Sequence, residues 1–298
     1  MAGTLAWFGV LGRTLTAADL ERLLLKRTAD RAEIEKTLGR LGTKVSERRG
    51  RYQVRGAAPK QPTARDDRAH RFKWWRVRTA VALLRHVPFI RMVAVGNTLA
   101  DRTASPDSDI DLFIVTDQHR LFTARTLATV LLHLAGLRRH GGKIRDRMCL
   151  SFWVTDQHLD LSDIAFKPYD IYLAYWVTEL RPVLDAGSTH RAFLGANRWA
   201  KDLIPHYDTT DFRVREPSRV ARRAERLLGG AVGTWLEQRL SGWQLKRIDT
   251  GGRADAPDVR IVADRTMLKF HEKERRKTYR EEWELLMRSL DFDPGRIR

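Results

Sequence analysis

Asp109 and Asp111 are the residues whose type and spacing most directly invite chemistry in this 298-residue chain. They stand in Ser108-Asp109-Ile110-Asp111-Leu112, at the head of an apolar run, Ile110–Val115, with the length and β-branched content of a buried strand. Alternate side chains of a strand share a face. The spacing therefore predicts that both carboxylates point the same way, with Cα atoms roughly 6.6 Å apart, while Ile110, Leu112 and Ile114 fill the opposite, core face. Two carboxylates held side by side repel each other unless a cation sits between them. A divalent metal, or a pair of metals about 3.5–4 Å apart, fits that gap.

A second strand-like run, Met92–Val95, comes shortly before, and the segment between the two opens Gly96-Asn97-Thr98 and closes Asp107-Ser108-Asp109. With these residues the chain resembles the nucleotidyltransferase superfamily related to DNA polymerase β, whose signature is a Gly-Ser turn followed on the next strand by Asp-x-Asp. Asn97-Thr98-Leu99-Ala100 takes the place of the turn and Ser108-Asp109-Ile110-Asp111-Leu112 that of the acidic strand. The resemblance implies Asp109 and Asp111 as catalytic ligands of two magnesium ions. It implies Asn97, Thr98, Ser108 and nearby backbone N–H groups as the cradle of an NTP triphosphate. Asn97 stands where the family has glycine, a position Asn tolerates because it also visits the left-handed region. Arg102 stands where a second glycine is usual.

Superfamily enzymes usually carry a third carboxylate on the strand that here reads Met148–Thr155. No residue of that strand is acidic, and Cys149 or Ser151 is expected on its inward face, with Asp146, Asp156, Asp160 and Asp163 outside it. Either one of these reaches the metals, or two carboxylates hold them with water and substrate oxygens, or turnover is lost. Lys143 and Arg145, with Arg147, precede the strand as candidate phosphate contacts.

The elements that must position these residues are legible in order. Residues 4–12 form an apolar helix, Thr16-Ala-Ala-Asp19 opens a second, and Asp30-Arg-Ala-Glu33 opens a third that runs to Leu41. Two short β-prone runs follow, Thr43–Glu47 and Tyr52–Arg55, joined by Arg48-Arg49-Gly50-Arg51. Three helices and a basic hairpin resemble a winged-helix domain over residues 1–58, which would contact nucleic acid through the 30–41 helix and the hairpin arginines, or dock to protein. Gly56–Pro62 reads as a linker. A nucleotidyltransferase core then spans 63–165, and a helical C-terminal region spans 166–298, making an α+β protein with a small mixed sheet.

Within that frame, Thr63–Arg85 is a helix burying Trp74, Trp75, Val77, Ala80, Val81 and Leu84, with His70, Arg71, Lys73, Arg76 and Arg78 off the stripe. His119–Leu137 is the helix covering the sheet. Helices are expected over Tyr169–Leu184, His190–Ile204 and Pro217–Ile248, then a linker-like 249–258. From Val259 a short strand leads into a basic helix whose Lys269, His271, Lys273, Arg275, Arg276 and Lys277 could meet phosphates.

Composition narrows the partners. Lys and Arg number 55 against 37 Asp and Glu, a formal charge of +18 that favours polyanions, RNA or DNA among them. The single cysteine excludes internal disulfides and cysteine-based zinc clusters and suits a reducing cytoplasm. The first residues carry no charged region before their apolar run, so no signal peptide is expected. Leu121–Leu137 is interrupted by Arg125, Thr129 and His133 at helical spacing, which reads as amphipathic helix rather than a membrane span. There is no G-x-S-x-G, H-E-x-x-H or G-x-G-x-x-G motif. The expectation is thus magnesium-dependent transfer of a nucleoside monophosphate from an NTP to an unidentified acceptor. The alternatives are a non-catalytic nucleic-acid-binding or regulatory protein, and nucleotidylation of a protein or small molecule.

Overall fold

Thr16 and Thr63 start their helices in the same way. Each hydroxyl accepts from the backbone N–H three residues on, and Asp19 or Asp66 returns the bond to the threonine N–H. Asp30 caps its helix by accepting from Glu33 N at 2.8 Å. The computed structural model describes residues 1–58, 63–100, 103–206, 212–249, 260–271 and 275–297.

Over the first of these ranges the order is α1 (Ala2–Val10), α2 (Ala17–Leu23), α3 (Arg31–Leu41) and an antiparallel hairpin of β1 (Val45–Arg48) and β2 (Arg51–Val54). Arg51 does not stand free at the hairpin, since it donates to the Thr14 hydroxyl and carbonyl, both at 2.7 Å. Helix α4 (Ala64–Leu84) leads into β3 (Ile90–Val95), α5 (Asn97–Ala100), β4 (Ile110–Thr116), α6 (Leu121–Leu134) and β5 (Met148–Thr155). Then come α7 (Ile171–Glu179), β6 (Arg181–Asp185), α8 (Thr189–Ala196), α9 (Arg198–Leu203), α10 (Arg219–Leu228), α11 (Ala231–Asp249), β7 (Arg260–Ala263), β8 (Met267–His271) and α12 (Arg276–Ser289).

The protein is α+β. Its main sheet has six strands in the order β6-β3-β4-β5-β8-β7, with β4 and β5 parallel and every other pair antiparallel. Strand alternation sends β4 side chains to two separate cores. Ile110, Leu112 and Ile114 join Val77, Val81 and Leu84 of α4 and Phe122 and Leu132 of α6. Phe113 and Val115 join a second core containing Trp7 and Phe8 of α1, Tyr175 of α7 and Trp283 of α12. The N-terminal helices share this core directly. Tyr175 Oη donates to Leu23 O at 2.6 Å, and Trp283 Nε1 donates to Gly3 O at 2.9 Å.

Three expectations about the later chain are corrected. The helix expected over Tyr169–Leu184 stops at Glu179, and the next residues form β6, pairing with β3 while Pro182 and Leu184 turn inward. The helix expected from His190 to Ile204 breaks at Asn197, whose amide donates to Leu159 O and Phe193 O and accepts from Leu161 N. The basic stretch after Val259 is a β-hairpin before it is a helix. Lys269 lies buried in β8 and Arg276 is buried against Asp170, so neither is free to meet a phosphate; Lys273 lies outside the described residues. Three of the six strands therefore come from residues 166–298, where one short strand was expected among helices.

On α4, Val77, Ala80, Val81 and Leu84 are buried as expected and Trp74 is half-buried, but Trp75 is exposed and Lys73 is fully buried. Among the described residues no helix is long and apolar enough to cross a membrane.

Candidate active site at the head of β4

Gly96 follows β3 at a crowded point, where a Cβ would meet Trp176 Nε1 at 3.1 Å and Leu180 Cδ2 at 3.2 Å and its neighbours would have to give by a few tenths of an ångström. This close approach, from α7 and the residue after it, lets the chain turn sharply into α5. Asn97 makes the turn with φ +52°, the left-handed conformation its short amide tolerates. Its Nδ2 then donates to Asp111 Oδ2 at 2.8 Å. The turn and the acidic strand are thus joined by side chains as well as by the β3–β4 ladder, in which Gly96 N also donates to Asp111 O at 3.1 Å.

Asp109 and Asp111 lie together, as the strand alternation requires. The third member of the group is Cys149, which faces Asp111 across the parallel β4–β5 register. One ligand atom from each of the three lies within 4.8 Å of the others. Among the described residues no other Asp, Glu, His or Cys joins at that distance. The strand on which a third carboxylate was expected thus presents a thiol to the pair.

The flanking aspartates are engaged elsewhere. Asp146 accepts from Lys73 Nζ at 2.7 Å, Asp163 pairs with His158 at 3.1 Å, and Asp160 accepts from Ser162 N and Oγ. Asp156 follows the opposite end of β5, near Asp117 and Arg91. None of the four reaches the group.

Arg139 follows α6, on the segment that leads to β5. Its Nη1 donates to Asp109 Oδ2 at 2.8 Å and stands 3.7 Å from Cys149 Sγ. A guanidinium therefore compensates one carboxylate of the pair. It does not settle the other. Burial first, and the neighbouring Asp109 charge second, push the Asp111 carboxyl up to about 6, against the opposing influence of Asn97, Cys149 and Arg139. Burial and the same two carboxylates push the Cys149 thiol up to about 12, so it is a neutral thiol beside two acids.

Lys73, like Arg139, was not expected at the site. Its ammonium donates to Ser108 O at 2.5 Å as well as to Asp146, tying the segment before Asp109 to the segment before β5. No local pattern marks it, because its partners lie 35 and 73 residues away in sequence.

The remaining expected phosphate contacts are distributed around the pair. Thr98 is exposed at the turn, and Ser108 Oγ is turned back onto Ser105 O at 3.0 Å. Lys143 is exposed on the 141–147 segment. Arg145, also exposed, leans toward Asp107 at 3.7 Å and Asp146 at 3.4 Å. Arg102 lies outside the described residues.

The donor set is compatible with magnesium. That ion is commonly held by one or two carboxylates with waters and substrate phosphate oxygens completing its shell, and a neutral thiol adds little to a hard cation. No protein-family model, curated protein or solved structure matches the chain.

Proposed function

We propose that this protein is a magnesium-dependent nucleotidyltransferase of the DNA polymerase β type, moving a nucleoside monophosphate from an NTP to an acceptor hydroxyl with release of pyrophosphate. The observation that carries the reading is the pairing of Asp109 and Asp111 at the head of β4, directly beside the Gly96-Asn97-Thr98 turn. Two like charges are held there at a cost that a bound dication would reverse.

Asp109 and Asp111 would hold the metal, which when bound supplies charge neutralisation for the phosphates and acidifies the acceptor hydroxyl. Asn97 fixes Asp111 by its amide hydrogen bond, and the exposed Thr98 beside it would offer its hydroxyl to a phosphate oxygen. Lys73 holds the Ser108 carbonyl, which keeps the acidic segment in register with β5. Arg139 donates to Asp109, a bond with which a dication held by the pair would compete.

The three helices and hairpin of residues 1–58 support a winged-helix-like reading of that region, and the single cysteine suits a cytoplasmic protein. The test is incubation with each labelled NTP, magnesium and cellular RNA or lysate. Label carried to an acceptor, with pyrophosphate released by the wild type and not by Asp109→Ala, supports the reading. A specific observation favours a second one. Cys149 stands on the strand where a third carboxylate is usual and Arg139 already neutralises Asp109, which suits a nucleotide sensor without turnover. Stoichiometric NTP binding with no pyrophosphate release across varied acceptors would select it.

A further inference from the structure

An exposed, strongly basic surface lies away from the acidic pair, on α10 and α11. Arg219, Arg222, Arg223 and Arg226 recur at helical spacing on α10 and line a cleft of about 640 Å³ with Arg91, Phe89 and Glu225. Arg91 is compensated by Asp117 at 2.9 Å and Glu225 at 3.0 Å, and Arg222 has Glu216 at 3.9 Å. Arg219, Arg223 and Arg226 have no acidic partner among the described residues. The cleft opens by the start of β3, whereas the acidic pair lies beyond that strand's other end.

The second helix adds rings to this charge. Trp235 and Trp243 are each 57% exposed, an unusual burden for two large apolar side chains on one helix. Arg239 lies 5.6 Å from the centroid of Trp235, and Arg247 lies 5.7 Å from that of Trp243. No exposed position of residues 231–248 is acidic. Rings and guanidinium groups thus alternate along one outward face.

This face is held rigidly from behind. Glu237 accepts from Phe122 N and Thr123 N, both at 2.8 Å, filling the place of a capping side chain at the start of α6. Gln244 bonds Thr126 Oγ1 at 2.9 Å, and Arg120 donates to Leu228 O and Gly229 O at the bend between α10 and α11.

We infer that α10 and α11 form a docking surface for single-stranded nucleic acid, with the α10 arginines on phosphates and the Trp235 and Trp243 rings stacked on bases. Every base offers a face to an indole, and arginine adds charge and stacking together. A duplex keeps its bases stacked on each other and offers these rings nothing. A membrane-surface helix separates an apolar face from a cationic one. In α11 the rings and cations share a face, and the other face is committed to α6. The inference goes beyond the transferase reading and stands whether or not Asp109 and Asp111 support turnover.

The test is fluorescence anisotropy of the full chain with a labelled single-stranded RNA, its duplex, and anionic phosphatidylserine vesicles in parallel. The single strand is expected to bind more tightly than the duplex. Trp235→Ala with Trp243→Ala is expected to weaken it by about 10- to 100-fold, with the far-ultraviolet circular dichroism unchanged. Arg222→Gln, Arg223→Gln and Arg226→Gln together are expected to flatten the slope of log affinity against log salt by about 2. Single-strand binding unaltered by the tryptophan pair, or a duplex bound at least as tightly, would overturn the inference. So would capture by vesicles that the tryptophan pair abolishes while RNA binding persists.

Discussion

Two groups of aspartates in this protein show opposite solutions to the same problem. Asp170 is buried at the start of α7, and every demand its carboxylate makes is met. Oδ1 accepts from Leu173 N at 2.8 Å, and Oδ2 accepts from Phe166 N at 3.1 Å and from the buried Arg276 at 2.7 Å. Asp111 has Asn97 on one oxygen and Asp109 as its charged neighbour, and its carboxyl is pushed up to about 6. A carboxylate whose charge is answered by the fold serves the fold. One whose charge is aggravated by its nearest acid is, in the proposed reading, held in readiness for a cation from outside, a form of stored strain expected at functional sites.

The contrast predicts opposite responses to mutation. The largest effect is on activity, where Asp109→Ala or Asp111→Ala is expected to lower pyrophosphate release by more than about a thousandfold, because in the proposed reaction charge stabilisation of phosphoryl transfer rests on these groups. Steady-state assays with saturating magnesium and NTP measure it. Undiminished turnover in either variant would remove the pair from the chemistry.

At Asp170 the effect is on stability. Arg276→Met leaves a buried carboxylate without its cation and is expected to cost about 3–5 kcal/mol in urea unfolding. A loss under about 1 kcal/mol would place Asp170 with the exposed pairs instead.

Asp111→Asn is expected to do the reverse and stabilise the metal-free protein. The folded carboxyl titrates near 6 and the unfolded one near its ordinary 3.8, so the folded state holds a proton that the unfolded chain releases. Stability therefore falls as pH rises from about 4 through 6, and the whole penalty is present at neutral pH. The amide removes that penalty, a gain of about 1–3 kcal/mol at neutral pH that disappears near pH 4. Thermal unfolding in a chelator across that range measures it, and a gain that grows toward acid pH would contradict the sign.

The smallest effect belongs to Arg139, whose side chain is 38% exposed. Arg139→Gln is expected to change stability by less than about 1 kcal/mol. It is also expected to strengthen magnesium binding severalfold, since the competing cation is gone. Weakened binding would instead make Arg139 part of the ligand cradle.

What was legible in the sequence was local. Strand alternation placed Asp109 and Asp111 opposite Ile110 and Leu112, the Thr-x-x-Asp signals placed two helix starts, and Met148–Thr155 is a strand with those bounds. What was not legible depended on partners distant in the chain. Arg181–Asp185 is too short to announce a strand and becomes one by pairing with β3. Lys73 looks solvated on a helical wheel until Ser108 and Asp146 arrive from 35 and 73 residues away. Arg139 acquires meaning only by reaching Asp109 across 30 residues. Cys149 could be placed on the inward face, but its position opposite Asp111 needed the parallel register.

The most direct test is calorimetric titration of a non-hydrolysable NTP with magnesium into the wild type and the Asp109→Asn/Asp111→Asn double variant. The account predicts saturable binding by the wild type that a chelator reverses and the double variant lacks. Equal affinity in both proteins, with or without magnesium, would contradict it.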